Sequence, residues 1–204
     1  MVISRYIASM PYTPLPNIQS LDLKALSELV SGQSRPPVEK WQPQAESDSH
    51  MRIDRNGRWY HRGDEIKRPA MVRLFSTILR REEDGRFALV TPYEKQFIAV
   101  EDAPFLAVEL SAQQSNGSYA LTFRLNTDEL VIAGKDNTLR MEGPDNDPRF
   151  YLTVRPGLEA LLSRTAHYDL VNLILDQSED APDYRLDYGS TELTLHLADT
   201  EDAA

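Results

Sequence analysis

The chain has 204 residues, 41% hydrophobic and 26% charged, with no cysteine and a formal net charge of −10. That length buries a core in one large domain or two small ones. The missing cysteine removes disulfides, thiolate metal sites and a thiol nucleophile, and the acidity opposes broad, non-specific nucleic-acid binding. Charge is unevenly spread. Residues 52–95 carry 11 Lys and Arg against 7 Asp and Glu, whereas residues 96–204 carry 7 against 20.

The opening stretch MVISRYIASMPYTPLP interrupts its apolar residues with Ser4 and Arg5, so it lacks the continuous hydrophobic region of a signal peptide. No run approaches the roughly 20 apolar residues of a membrane helix. A cytoplasmic protein with no membrane contact is therefore expected. Ser20 can cap a short helix whose apolar face is Leu23, Leu26, Leu29 and Val30, with Gly32 ending it. Residues 33–50 combine three prolines with polar residues and read as an extended linker, anchored by Trp41. Residues 1–50 thus form an N-terminal helix and Pro-rich linker.

A basic first unit spans 51–104. Asn56-Gly57 between two short strand-like runs marks a hairpin. Met71, Leu74, Phe75, Ile78 and Leu79 then fall at helical spacing, which predicts a helix from Pro69 to Gly85. RFALVT and QFIAVE read as strands joined by the turn PYEK. The order is strand, strand, helix, strand, strand.

An acidic second unit spans 105–204. FLAVELS, YALTFRLN, ELVIA, TLRME and RFYLTV read as strands, with Asn116-Gly117-Ser118 and GPDNDP in turns. RPGLEALLSR, from Arg155, then resembles RPAMVRLFSTIL, from Arg68. This likeness predicts a second helix from Pro156 through Leu158, Leu161, Leu162, Tyr168, Val171 and Leu175, kinked near Thr165. The alternating segments YRLDY and ELTLHL close the chain as strands. The fold class expected is α+β, a tandem duplication of a β-β-α-β-β unit with antiparallel sheets and an N-terminal helical arm. A cleft between the two units is the expected ligand site.

No phosphate-binding glycine loop and no G-x-S-x-G nucleophile elbow is present. His50, His61, His167 and His196 lack metal-ligand spacing, and GPDNDP lacks the glycine and distal glutamate of a calcium loop. No cofactor, metal site or catalytic residue is nominated. Arg73 lies seven residues before Arg80, so a helix carries both on nearly one face. That face is either solvated or anion-binding. Thr91 and Glu94 can cap the TPYEK turn, and Asp102 can accept backbone hydrogen bonds; both turns adjoin the junction of the units.

Several of these segments together resemble the bacterial family known as domain of unknown function 1285. The matching features are G-x-W-x-H at Gly57, Trp59 and His61, RREEDG from Arg80, LVTPxEK from Leu89 and VEDAPF from Val100. The resemblance covers roughly residues 38–198 and implies a duplicated core whose C-terminal half is superficially like pleckstrin-homology folds. It also implies a nucleotide-like ligand between the halves and a part in signalling, and it lends no enzyme name.

The combined expectation is a non-catalytic, ligand-responsive cytoplasmic protein that binds a small anionic ligand, of which a nucleotide is one type, between its units. Arginine suits such a ligand because its planar fork pairs bidentately with phosphate. Arg68, Arg73, Arg80, Arg81 and Lys95 are the candidate anion contacts, Trp59 and Tyr93 the candidate stacking partners, and Thr91, Glu94 and Asp102 the polar cleft candidates. Two other classes stay open: an adaptor whose basic unit docks an acidic protein partner, and an enzyme without a linear motif.

Overall fold

The computed structural model describes residues 17–115, 118–143, 148–177 and 184–195. A short 3-10 turn at Ile18–Ser20 precedes helix α1, Leu23–Ser31. Asp22, not Ser20, caps α1, its Oδ1 accepting from the Ala25 N–H at 2.8 Å. Leu26 is the buried residue of its apolar face and joins Ile18 and Leu130 in a small cluster on the second unit.

The first sheet has six strands: β1 Ala45–Ile53, β2 Trp59–His61, β3 Asp64–Glu65, β4 Leu79–Arg81, β5 Phe87–Val90 and β6 Glu94–Val100. Their order is β3-β2-β1-β6-β5-β4. Helix α2, Pro69–Thr77, connects β3 to β4. β1 starts inside the stretch read as linker. It pairs in parallel with β6, so the sheet is mixed and not antiparallel.

The second sheet has eight strands: β7 Phe105–Ser115, β8 Ser118–Leu125, β9 Leu130–Ile132, β10 Leu139–Glu142, β11 Arg149–Arg155, β12 Leu158–Leu162, β13 Tyr184–Tyr188 and β14 Thr191–Leu195. Their order is β10-β11-β12-β7-β8-β13-β14, with β9 also on β8. β12 with β7 and β13 with β8 are parallel pairs. This sheet is nearly barrel-shaped. The buried Tyr188 hydroxyl of β13 accepts the Leu139 N–H of β10 at 3.0 Å. Helix α3, Arg164–Gln177, lays Ala166, Leu170 and Ile174 on the core at four-residue spacing.

Two expectations fail here. Arg155-Pro156 does not open a helix: Pro156 and Gly157 are the central residues of a tight turn in which Arg155 pairs with Leu158, and Leu158–Leu162 is β12. The helix begins at Arg164, which puts Thr165 in its first turn and not in the middle of a longer helix from Pro156. Nor does the first helix reach Gly85, because it stops at Thr77 and Leu79–Arg81 pairs antiparallel with Phe87–Leu89. The two Arg-Pro segments are therefore not equivalent. With strand orders that also differ, the tandem β-β-α-β-β repeat is absent.

One hydrophobic cluster nonetheless joins both sheets. Ile53, Trp59, Leu79 and Leu89 from the first meet Phe105, Leu121, Phe123 and Phe150 from the second. Fully burying each such side chain contributes about 1.5–3 kcal/mol. Helix α2 turns Val72, Phe75 and Ser76 to this core, while Met71 and Leu74 are half-buried outside it. No helix among the described residues is long and apolar enough to cross a membrane. The GPDNDP residues 144–147, the Asn116-Gly117 turn tip and His196 lie outside the described residues.

Candidate functional site

The turn Asn126–Glu129, between β8 and β9, reaches the first unit with two of its side chains, Asn126 and Asp128. Asp128 has φ +61°, a left-handed conformation that Asp tolerates better than most residues. Asn126 accepts the Leu106 N–H at 3.1 Å and donates its Nδ2 to the Gly57 carbonyl at 2.9 Å, tying the β1–β2 hairpin to the second unit. Gly57 has φ +72°, and a Cβ there would lie 2.5 Å from Asn126 Nδ2. The chain needs glycine at that point twice over.

Charged pairs continue the seam. Arg73 of α2 places Nη1 2.5 Å from Asp128 Oδ2, and Arg124 lies 3.9 Å from the other carboxylate oxygen. Arg124 pairs also with Glu109, directly across from it on β7, at 2.5 Å. Glu129 is shared by two guanidinium groups, Arg35 at 3.3 Å and Arg155 at 3.2 Å. Arg155 is 7% exposed, donates to the Ser76 carbonyl at the end of α2 at 3.1 Å, and lies 5.0 Å over the Phe105 ring. Its Nε has no hydrogen-bond partner among the described residues.

Burial pushes the Arg155 pKa below its ordinary value; Glu129 offsets this in part, and Arg35 adds to it by repulsion. Arg35 and the desolvated Arg155 share Glu129, and Glu39 adds a further attraction to Arg155. Beside this cluster lies a polar pocket of about 190 Å³ lined by Gln33, Arg35, Glu129, Asn137 and Val154, among others. Gln33 fixes one wall by bonding both the N–H and the carbonyl of Leu130, at 2.8 and 2.9 Å. An anionic group in this pocket could meet Arg35 without any rearrangement of the sheets.

The residues singled out from the sequence scatter over the unit. Arg73 and Asp102 reach the second unit; Asp102 accepts the Tyr151 hydroxyl at 3.0 Å and lies 3.7 Å from Arg149. Arg80 sits on β4, not on a helix face with Arg73. It donates to the carbonyls of Val38 and Trp41 at 2.7 and 2.8 Å and to Glu82 at 2.7 Å, which pins the linker to the first sheet. Lys95 lies 2.8 Å from Glu46 and 2.9 Å from Glu82, whose hydrogen bonds raise its pKa. Burial pushes the Glu82 carboxyl up, but hydrogen bonds from Arg80 and Lys95 outweigh that and hold it below its ordinary value of 4.5.

Arg81 packs its stem on the Pro156-Gly157 turn, where a Cβ on Gly157 would lie 3.0 Å from Arg81 Cβ. Arg68 is the exposed N-cap of α2 and makes no side-chain capping bond. Trp59 is 1% exposed and stacks on Phe75 with centroids 6.2 Å apart, so it belongs to the core and not to a ligand surface. Tyr93 is 74% exposed at the β5–β6 turn. Thr91 Oγ1 accepts the Tyr93 and Glu94 N–H groups at 3.3 and 3.1 Å, capping that turn, and Glu94 enters it through its backbone. Arg35, Arg155, Asn126, Asp128 and Glu129 were not singled out. The strands read as YALTFRLN and ELVIA leave only Thr127-Asp128 between them, and nothing local marks the partners of that turn. No group of three potential metal-ligating side chains occurs among the described residues.

Residues 36–103 match the N-terminal domain, and residues 104–187 the C-terminal domain, of the family described as domain of unknown function DUF1285. A crystal structure of a DUF1285 family protein from Silicibacter pomeroyi DSS-3 is 38% identical, with 87% of this chain and 96% of that chain covered and a TM-score of 0.72. A DUF1285 family protein from Shewanella baltica OS155 is 29% identical, with 60% and 90% covered and a TM-score of 0.48. No curated protein matches the chain.

Proposed function

The chain belongs to the DUF1285 family, and from that premise we propose that it is a non-catalytic, ligand-responsive cytoplasmic protein that takes a small anion at the seam. The observation carrying this reading is Glu129, which serves both Arg35 and the buried Arg155 beside a pocket of about 190 Å³. The pocket suits a phosphate or carboxylate group. A nucleotide would place its phosphate there and its base outside. Because Glu129 and Asp128 share one turn with Asn126, an anion that competes for Arg35 or Arg155 disturbs the contacts of that turn with both sheets, and this is the ligand response. The nearly closed second sheet packed by α3 supports the pleckstrin-homology likeness as part of the same reading.

Thermal-shift screening of pyrophosphate and a nucleotide panel tests it. At least one compound should raise the melting temperature, and Arg35→Ala, a partly exposed position, should abolish the shift. No stabiliser in the panel, or one indifferent to Arg35→Ala, contradicts the seam site, and turnover of any compound favours an enzyme. One observation favours the adaptor reading as second. Arg55, Arg58, Arg62, Lys67 and Arg68 are exposed and have no ion-pair partner among the described residues. Their reversal to Glu should leave anion binding intact and abolish capture of an acidic protein if that reading holds.

A further inference from the structure

The pairing of the first sheet separates its side chains into two sets. Met51, Ile53, Trp59, Ile98 and Val100 share the face toward the core. By the alternation of strand side chains, Arg52, Tyr60, Phe97 and Ala99 share the opposite face. That outer face holds an open groove of about 690 Å³, within the usual range for small-molecule sites. The Arg52 guanidinium carbon lies 3.9 Å from the Tyr60 ring centroid, and that of Arg86 lies 3.6 Å from the Phe97 centroid. Two planar cations thus cover two aromatic rings within one groove.

Their present partners are exchangeable. Arg52 pairs with Glu101 at 2.9 Å and Arg86 with Asp84 at 2.6 Å, and all four side chains are 41–56% exposed. Exposed pairs of this kind are weak and screened by solvent, so a ligand anion can replace either carboxylate at small cost. The rim carries an independent sign of a built site. His50, which lines the groove, has φ +53° at an irregularity in the parallel β1–β6 pairing. Three bonds hold it there: Asp48 Oδ1 accepts its N–H at 2.7 Å, its carbonyl accepts the Arg62 N–H at 2.9 Å, and Ser49 donates to the Phe97 carbonyl at 2.6 Å. A non-glycine residue in that conformation is strained, and such strain clusters at ligand sites.

We infer that this outer groove is a second ligand site, distinct from the seam, for a small planar aromatic anion such as an aromatic carboxylate. The ring of the ligand stacks on the free face of a guanidinium or on the exposed part of Phe97 or Tyr60. Its acid group takes the guanidinium edge that Glu101 or Asp84 holds. An anion without a ring gains only the exchange of one exposed carboxylate for another. The groove therefore selects for the ring.

The test uses the full chain and 1-anilinonaphthalene-8-sulfonate, a fluorescent aromatic anion, with benzoate and acetate as competitors. Saturable fluorescence that benzoate displaces and acetate does not is the expected result. Arg52→Ala with Arg86→Ala, and separately Phe97→Leu, should each weaken binding by roughly tenfold or more. Arg35→Ala should bind as the parent, which keeps this site's outcome apart from that of the seam. Benzoate should also shift the amide resonances of Ala99 and Gly85 in the unaltered protein, a readout independent of how the variants fold. Non-saturable fluorescence, equal displacement by acetate, affinity unchanged in the groove variants, or shifts confined to other residues would each overturn the inference.

Discussion

Arg73 on α2 and Asp128 on the β8–β9 turn, 55 positions apart in the chain, form an ion pair at 2.5 Å with both side chains about four-fifths buried. The basic first unit and the acidic second unit thus neutralise one another at a defined point of contact. Charge-assisted hydrogen bonds of this type are worth about 1.5–3 kcal/mol. Arg73→Ala and Asp128→Asn should each lower unfolding stability within that range, Asn keeping the left-handed backbone. A double-mutant cycle by denaturant unfolding should give a coupling of about 1 kcal/mol or more; additive losses would mean that the pair is not an energetic contact.

Gly57→Ala should be far more damaging than Gly63→Ala. Both glycines have positive φ, but the new Cβ meets Asn126 Nδ2 at 2.5 Å in the first case and nothing within 4 Å in the second. Gly63→Ala should cost about 1 kcal/mol of backbone strain, and Gly57→Ala about 2–4 kcal/mol, because Asn126 is held by two hydrogen bonds and cannot step aside. Equal midpoints in urea would contradict the close approach of hairpin and turn.

Leu79→Ala should destabilise by about 2–5 kcal/mol, since Leu79 is 1% exposed within the joint core. Leu74→Ala, at a half-buried position outside it, should cost about 1–2 kcal/mol. The reverse ranking would restore the longer helix that the apolar spacing suggests.

That ranking turns on a segment whose local pattern points one way. In LFSTILRREEDG the residues Leu74, Phe75, Ile78 and Leu79 satisfy a helical stripe, while Leu79, Arg80 and Arg81 carry no apolar alternation to mark a strand. Pairing with Phe87–Leu89 decides for the strand from Leu79 onward, a non-local contact that no window of sequence contains. The strands from Phe87 to Leu152 were legible because their alternation and turn residues are local. At Arg155 the Pro-Gly dipeptide carried a turn signal that the likeness to Arg68-Pro69 obscured. The seam and the groove were not legible for a shared reason. Asp128 and Arg73, or Phe97 and Tyr60, become neighbours only through the sheet-to-sheet packing and the parallel β1–β6 pairing.

Acid should weaken the fold partly through Glu82. Its carboxyl holds a proton less tightly in the folded chain than in the unfolded one, so its stabilising effect is present above the unfolded value near 4.5 and is lost as pH falls through the lower folded value. Glu82→Gln should flatten the stability profile as pH falls below the ordinary value of 4.5 and should loosen the linker at Val38 and Trp41 through Arg80. A profile as steep as the parent's would place the acid sensitivity elsewhere.

The most direct measurement of the seam account is a crystal structure of the full chain grown with pyrophosphate. The account predicts a phosphate group within hydrogen-bonding distance of Arg35 in the pocket beside Asn137, with the Arg35–Glu129 pair opened to admit it. Pyrophosphate bound elsewhere, with Arg35 still on Glu129 and only water in the pocket, would contradict it.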